Sequence, residues 1–137
     1  MTTEDIYIIL TDAISSVIPD EWTIARLNVQ FLDGGQDIEF DGTYLTPDGE
    51  PEIMPTEFPD EVIGAVRALY LLHSQSGAPA ANQLQFDLAS TGQFTADFSW
   101  DQEMQDEDEH FSKGGTVSEW ITIRNAKYGE RDTSATD

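Results

Sequence analysis

Cysteine is absent from the 137 residues, which excludes disulfides, thiolate zinc sites and cysteine nucleophiles together. Basic side chains are nearly as scarce: 6 lysines and arginines stand against 27 aspartates and glutamates, a formal charge of −21. Binding to nucleic acid phosphates or anionic lipid headgroups needs a cationic footprint, so direct contact with either is not expected. No run approaches the roughly 18 apolar residues of a membrane span. Glu4, Asp5 and Asp12 occupy the stretch where a signal peptide would carry its basic region. The expectation is a soluble cytoplasmic chain. What is present is apolar mass: 39% hydrophobic and 10% aromatic residues exceed what a chain left unfolded by its charge contains. The length suits one core, so one domain over 1–128 with a disordered tail over 129–137 is the expected organisation.

The charge is uneven. Between Arg26 and Lys113 there is one base, Arg67, against ten acids from Asp33 to Glu61 and eight from Asp87 to Glu109. From Lys113 onward the charges balance. Such a field favours solubility, and it also steers a basic partner toward the middle of the chain.

Hydrophobic periodicity separates the elements. Ile6, Ile9, Leu10, Ala13, Ile14 and Val17 form a helical stripe, with Thr3 as its expected N-cap and Pro19 ending it. Ala25, Leu27, Val29 and Phe31 then alternate with polar residues, as do Ile38, Phe40 and Tyr44. A two-residue Gly34-Gly35 turn would pair Phe31 with Ile38, Val29 with Phe40 and Ala25 with Tyr44, leaving one apolar face. The proline-bearing segment 50–58 reads as irregular or as an edge. Pro59-Asp60-Glu61 opens a second helix carrying Val62, Ile63, Val66, Leu69, Tyr70 and Leu72. A second hairpin follows, its three-residue loop with a left-handed Gly92 pairing Leu88 with Phe94, Phe86 with Ala96 and Leu84 with Phe98. The fold class is α+β: two antiparallel hairpins forming a sheet packed on two main helices, in the order α-β-β-α-β-β. Residues 102–110 are too acidic for core and read as a loop. Residues 117–128 suit either a strand or a helix, a short helix packing Trp120 being preferred.

Catalytic chemistry finds no foothold. With so many carboxylates, any chosen acid/base pair is uninformative. His73 and His110 have no HExxH or HxH spacing, so each reads as a surface or half-buried histidine. Gly34-Gly35 lacks the base and helix start of a phosphate cradle. The run Asp101 to Glu109 lacks the spaced oxygens and central glycine of a calcium loop, which favours a solvated acidic segment. No catalytic, cofactor or metal residue is assigned, and the chain is not expected to be an enzyme.

The exposed hairpin faces are more pointed. With Ile38 and Phe40 inward, Asp37, Glu39 and Asp41 project together on the other face, about 6.5 to 7 Å apart, at a cost in like-charge repulsion. An ordinary solvated strand face would look the same. The functional reading is a carboxylate row spaced to meet the arginines and lysines of a nucleic-acid-binding cleft, since arginine pairs bidentately with carboxylate as it does with phosphate. The partner-facing set is then Asp37, Glu39, Asp41 and Asp97, with Asp101, Glu103, Asp106, Glu107, Asp108 and Glu109 extending it. Tyr44 and Trp100 are the candidate aromatic anchors, and Trp22 is assigned to the core.

The opening helix with Ile6-Tyr7, the stretch Ile14-Ser15-Ser16-Val17-Ile18-Pro19-Asp20-Glu21-Trp22, and Leu32-Asp33-Gly34-Gly35 are followed by Phe86-Asp87-Leu88-Ala89-Ser90-Thr91-Gly92-Gln93-Phe94 and Phe98-Ser99-Trp100-Asp101. In this order and spacing they resemble the YezG/EsaG-like immunity proteins, cytosolic antitoxins of polymorphic toxin systems. The resemblance runs over about residues 4–104. Of the family's C-terminal Arg…Trp-x-x-x-Tyr-like block, only Trp120 to Tyr128 is loosely similar. The resemblance implies binding and neutralisation of a cognate secreted toxin domain, often a nuclease, in bacterial competition. It does not supply contact residues, which rest on the charge map. A monomer in a 1:1 complex is the expected assembly. An acidic adaptor or chaperone that holds a basic secreted protein without inhibiting it is the alternative.

Overall fold

The computed structural model describes residues 2–19 and 21–129. Ten elements follow in order: α1 (Thr3–Val17), β1 (Ile24–Leu32), a 3-10 turn (Asp33–Gly35), β2 (Asp37–Leu45), β3 (Pro51–Ile53), α2 (Asp60–Gln75), β4 (Gln83–Ala89), β5 (Phe94–Ser99), α3 (Gln102–Ser112) and α4 (Val117–Tyr128). Among the described residues the fold is α+β, with four helices and one antiparallel sheet of five strands in the order β3-β2-β1-β4-β5. The described residues divide after Trp100 into two compact units. None of the described helices is long and apolar enough to cross a membrane. The tail expected over 129–137 lies, apart from Gly129, outside the described residues.

In the first unit, α1 begins one residue earlier than expected. Thr2 is the N-cap: its hydroxyl accepts from the Asp5 N–H at 3.2 Å while its own N–H donates to the Asp5 carboxylate at 3.0 Å. This reciprocal pair satisfies two donors that the helix start leaves open. It also holds the Asp5 carboxyl below its ordinary pKa. Ile18 is extended, as the residue before a proline prefers, and the helix stops there. Ile6, Leu10, Ala13 and Ile14 are buried, as are Val62, Ala65, Val66 and Leu69 of α2. These two stripes meet the alternating apolar face of the sheet, Ala25, Leu27, Val29, Phe31, Leu84, Phe86 and Leu88, in one cluster. Trp22 packs half-buried against it.

Both hairpin registers are those that alternation predicts: Phe31 opposite Ile38, Val29 opposite Phe40 and Ala25 opposite Tyr44, then Leu88 opposite Phe94, Phe86 opposite Ala96 and Leu84 opposite Phe98. The second loop closes through the Ala89 N–H to the Gln93 carbonyl at 2.8 Å, with Gly92 at φ +99°. The first turn departs from the two-residue form. The last pair is Leu32 with Asp37, so residues 33–36 form the connection. Contact with α2 decides this: the Arg67 guanidinium donates to the carbonyls of Gly35 and Gln36, each at 3.3 Å, and the Tyr70 ring lies under Gly35.

Of the two forms expected for the segment after the Thr46-Pro47-Asp48-Gly49 turn, part takes the edge form: Pro51–Ile53 pairs with β2 as a fifth strand at the border of the sheet, and Met54 then fills the space under Gly42. The acidic segment expected as a loop is helical as α3, in the second unit. Residues 117–128 are helix, burying Trp120.

Candidate partner-binding surface

The sheet face turned away from α1 and α2 gathers the acidic hairpin residues. Asp37, Glu39 and Asp41 alternate with Ile38 and Phe40 along β2 and are exposed. Because β1 is central and β4 lies beside it, the register extends each position into a rung across four strands. One rung reads Asp41, Asn28, Gln85, Asp97, and the next reads Glu39, Gln30, Gln83, Ser99. Asp41 and Asp97 thus flank a pair of carboxamides about 14 Å apart, three interstrand spacings. Apart from Asp97, the residues of these rungs line a concavity of about 520 Å³.

The following rung is Thr43, Arg26, Asp87, Thr95. Here Arg26 forks onto Asp87, Nε to Oδ1 at 2.8 Å and Nη2 to Oδ2 at 3.2 Å. Asp87 raises the pKa of the guanidinium, and it also accepts from the Gln85 amide at 3.1 Å. Arg26, on the rung beside the concavity, is therefore already engaged. Among the described residues no lysine or arginine lines the concavity itself. Carboxylates accept and carboxamides both accept and donate, so the surface suits cationic donors and repels phosphate.

The chain matches no protein-family model and no curated protein. What the surface can do is therefore read from its own chemistry.

The other residues expected to face a partner are placed differently. Tyr44 lies on the opposite, helix-covered face, packed half-buried against the core. It is not on the surface of the carboxylate row. Trp100 follows β5 and is 45% exposed. In the second unit the acidic residues largely serve the α3–α4 pair. Asp101 caps α3, accepting from the Met104 N–H at 3.1 Å. Glu103 takes the Arg124 fork at 2.9 and 3.3 Å. Asp106 accepts from Lys127 at 2.6 Å, from Gln102 at 2.9 Å and from the Tyr128 hydroxyl. The Lys127 contact first, and then Tyr128, lower the Asp106 pKa to about 2. Glu109 accepts from Gln105 at 3.2 Å, whereas Glu107 stands exposed. His110 is half-buried, its Nε2 2.9 Å from the Thr116 carbonyl and its ring beside Trp120. Among the described residues no three His, Asp or Glu side chains group as metal ligands.

Asn28, Gln30, Gln83 and Gln85 were not singled out from the sequence. Their polar positions in the alternating strands were the available signal, but only the β1–β4 pairing makes them one floor.

Proposed function

We propose that the chain is a cytoplasmic immunity protein of the YezG/EsaG-like kind. It is a binding protein, not an enzyme, and it neutralises a cognate secreted toxin, most simply a basic nuclease domain, in a 1:1 complex. The observation that carries the reading is the concave sheet face, with Glu39 and Asp41 beside a carboxamide floor and Asp97 at the far end of the Asp41 rung. A nuclease cleft presents arginines and lysines at phosphate spacing, and arginine meets a carboxylate through the same two-pronged geometry. The surplus of negative charge speeds the encounter, and contacts desolvated in the complex set its lifetime. Glu103 and Asp106 are tied to α4, so the hairpin face is the contact surface proposed.

The test is affinity capture from the native host with the tagged chain, washed at low and high salt. The retained protein is then identified, and its nuclease activity is assayed with and without the chain. A basic toxin domain retained and silenced is expected. Replacing Asp37, Glu39 and Asp41 together by lysine should weaken the complex by about tenfold or more and flatten its salt dependence. Unchanged affinity removes this face from the interface. Retention without inhibition makes the chain an adaptor or chaperone, and no partner at either salt ends the reading.

A further inference from the structure

Among the described residues strand β5 is an edge of the sheet, paired with β4 on one side only. Along an antiparallel ladder, alternate residues spend both backbone groups on the neighbour. The bond from the Ala89 N–H to the Gln93 carbonyl fixes the phase: Thr95, Asp97 and Ser99 bond to β4, and the N–H and C=O groups of Phe94, Ala96 and Phe98 point out of the edge. Beside the start of this strand runs a groove of about 550 Å³ between one flank of α1 and the β4–β5 turn. Its floor includes Ile8, 59% exposed, and Phe94, 42% exposed, with Tyr7 packed on Phe94 at 4.9 Å between ring centroids. Glu4 and Asp12 stand at its two ends, about 12 Å apart along the helix. This flank is distinct from the stripe that α1 buries.

We propose that the β5 edge and this groove bind an extended segment of a partner protein as a sixth, antiparallel strand, one in which apolar and basic side chains alternate. Directly opposed residues share a face, so the incoming residues that bond to Phe94, Ala96 and Phe98 turn their side chains toward α1, where Ile8 and Phe94 offer apolar surface. The intervening basic residues turn toward Asp97 on the other face. This is strand addition with backbone bonds for affinity and a groove for selectivity. A second copy of this chain is the wrong occupant, because it would bring its own Asp97 against this one, with −21 charges on each chain.

The probe is the blocked peptide Lys-Val-Arg-Val-Arg-Val-Lys, titrated into the isotopically labelled full chain at about 150 mM salt, where long-range attraction is screened. Two further versions carry the same charge, one N-methylated at the valines and one at the arginines. The valines bear the donors that face β5. Their methylation removes three bonds and should cost about tenfold or more in affinity, while arginine methylation leaves binding intact. Amide exchange at Phe94, Ala96 and Phe98 should slow when peptide is bound, and Ile8→Ser should weaken binding without altering thermal unfolding. Equal binding by the two methylated peptides, or no binding, overturns strand addition. Resonance shifts centred on Glu39 and Asp41 instead place the peptide on the sheet face. Protection of the three amides that rises with protein concentration alone assigns the edge to a second copy. Each of these results leaves the toxin assay to decide the sheet-face reading separately.

Discussion

Gly34 and Gly35 sit side by side in the first turn, yet alanine should be tolerated very differently at the two. Gly34 has φ +66° with nothing within 4 Å of where a Cβ would stand. Left-handed backbone alone then sets the cost of Gly34→Ala, about 1 kcal/mol. Gly35 has φ +91°, and a Cβ there would lie 2.7 and 2.8 Å from Cε2 and Cδ2 of Tyr70. That ring cannot retreat freely, because Phe31 is packed against it at 4.7 Å between centroids. The turn cannot swing away either without giving up the two Arg67 bonds. Strain of about 1–2 kcal/mol and overpacking of about 1–3 kcal/mol make Gly35→Ala worth about 2–5 kcal/mol. The two contributions separate in a double-mutant cycle: with Tyr70→Ala as background the clash vanishes and only the strain remains. Urea unfolding is the suitable assay, since guanidinium would screen the charges as well as unfold the chain; the midpoint should move and the slope should not. If Gly35→Ala costs no more than Gly34→Ala, or costs the same with and without the Tyr70 ring, the account of this turn is wrong.

Lowering the salt from about 150 to about 10 mM lengthens the screening distance from about 8 to nearly 30 Å, so self-repulsion of the −21 charge should drop the melting temperature by several degrees; a melting curve indifferent to salt contradicts this. The Asp106 carboxyl is depressed to about 2 from 3.8, so its support for the α3–α4 pair is complete above about pH 4 and fades as the pH falls toward 2. Amide exchange in α4 should accelerate over that window in the native chain and change less in Asp106→Asn. Glu39→Gln relieves repulsion from Asp37 and Asp41 on the same face and should raise stability by a few tenths of a kcal/mol in urea, whereas a loss would mean that Glu39 has a stabilising role in the isolated chain.

The hairpins were legible because side chains alternate with period two, and a one-residue slip would have exposed Phe31, Phe40, Phe86 and Phe98 together. The carboxylate row followed from the same alternation. Tyr44 shows the limit of choosing anchors by residue type, since its own register places it on the covered face. The α3 helix was missed because its acids suggest repulsion, and the compensation comes from 21 residues further on: Glu103 and Asp106 are spaced to meet Arg124 and Lys127. That matching three-residue spacing was in the sequence, but only a reading that paired the two segments would have found it. Strand β3 is three residues long and prolines flank or begin it, too short for any period to register. The carboxamide floor depends on β1 meeting β4, which no local pattern specifies.

That central meeting bears on how the chain assembles. β1 joins β2 across a short turn, but it joins β4 with Gln30 opposite Gln83 and Ile24 opposite Ala89, after the whole of β2, β3 and α2 has intervened. Each hairpin can close on its own within about 1–10 μs, while the seam between them waits on a long-range encounter that sets the pace of folding. During that wait β1 and β4 are both open edges backed by apolar faces, the form most prone to pair with the wrong chain. Asp37, Glu39, Asp41, Asp87 and Asp97 are already in place on the two hairpins. The acidic rows therefore keep half-built copies apart from one another well before any partner is met.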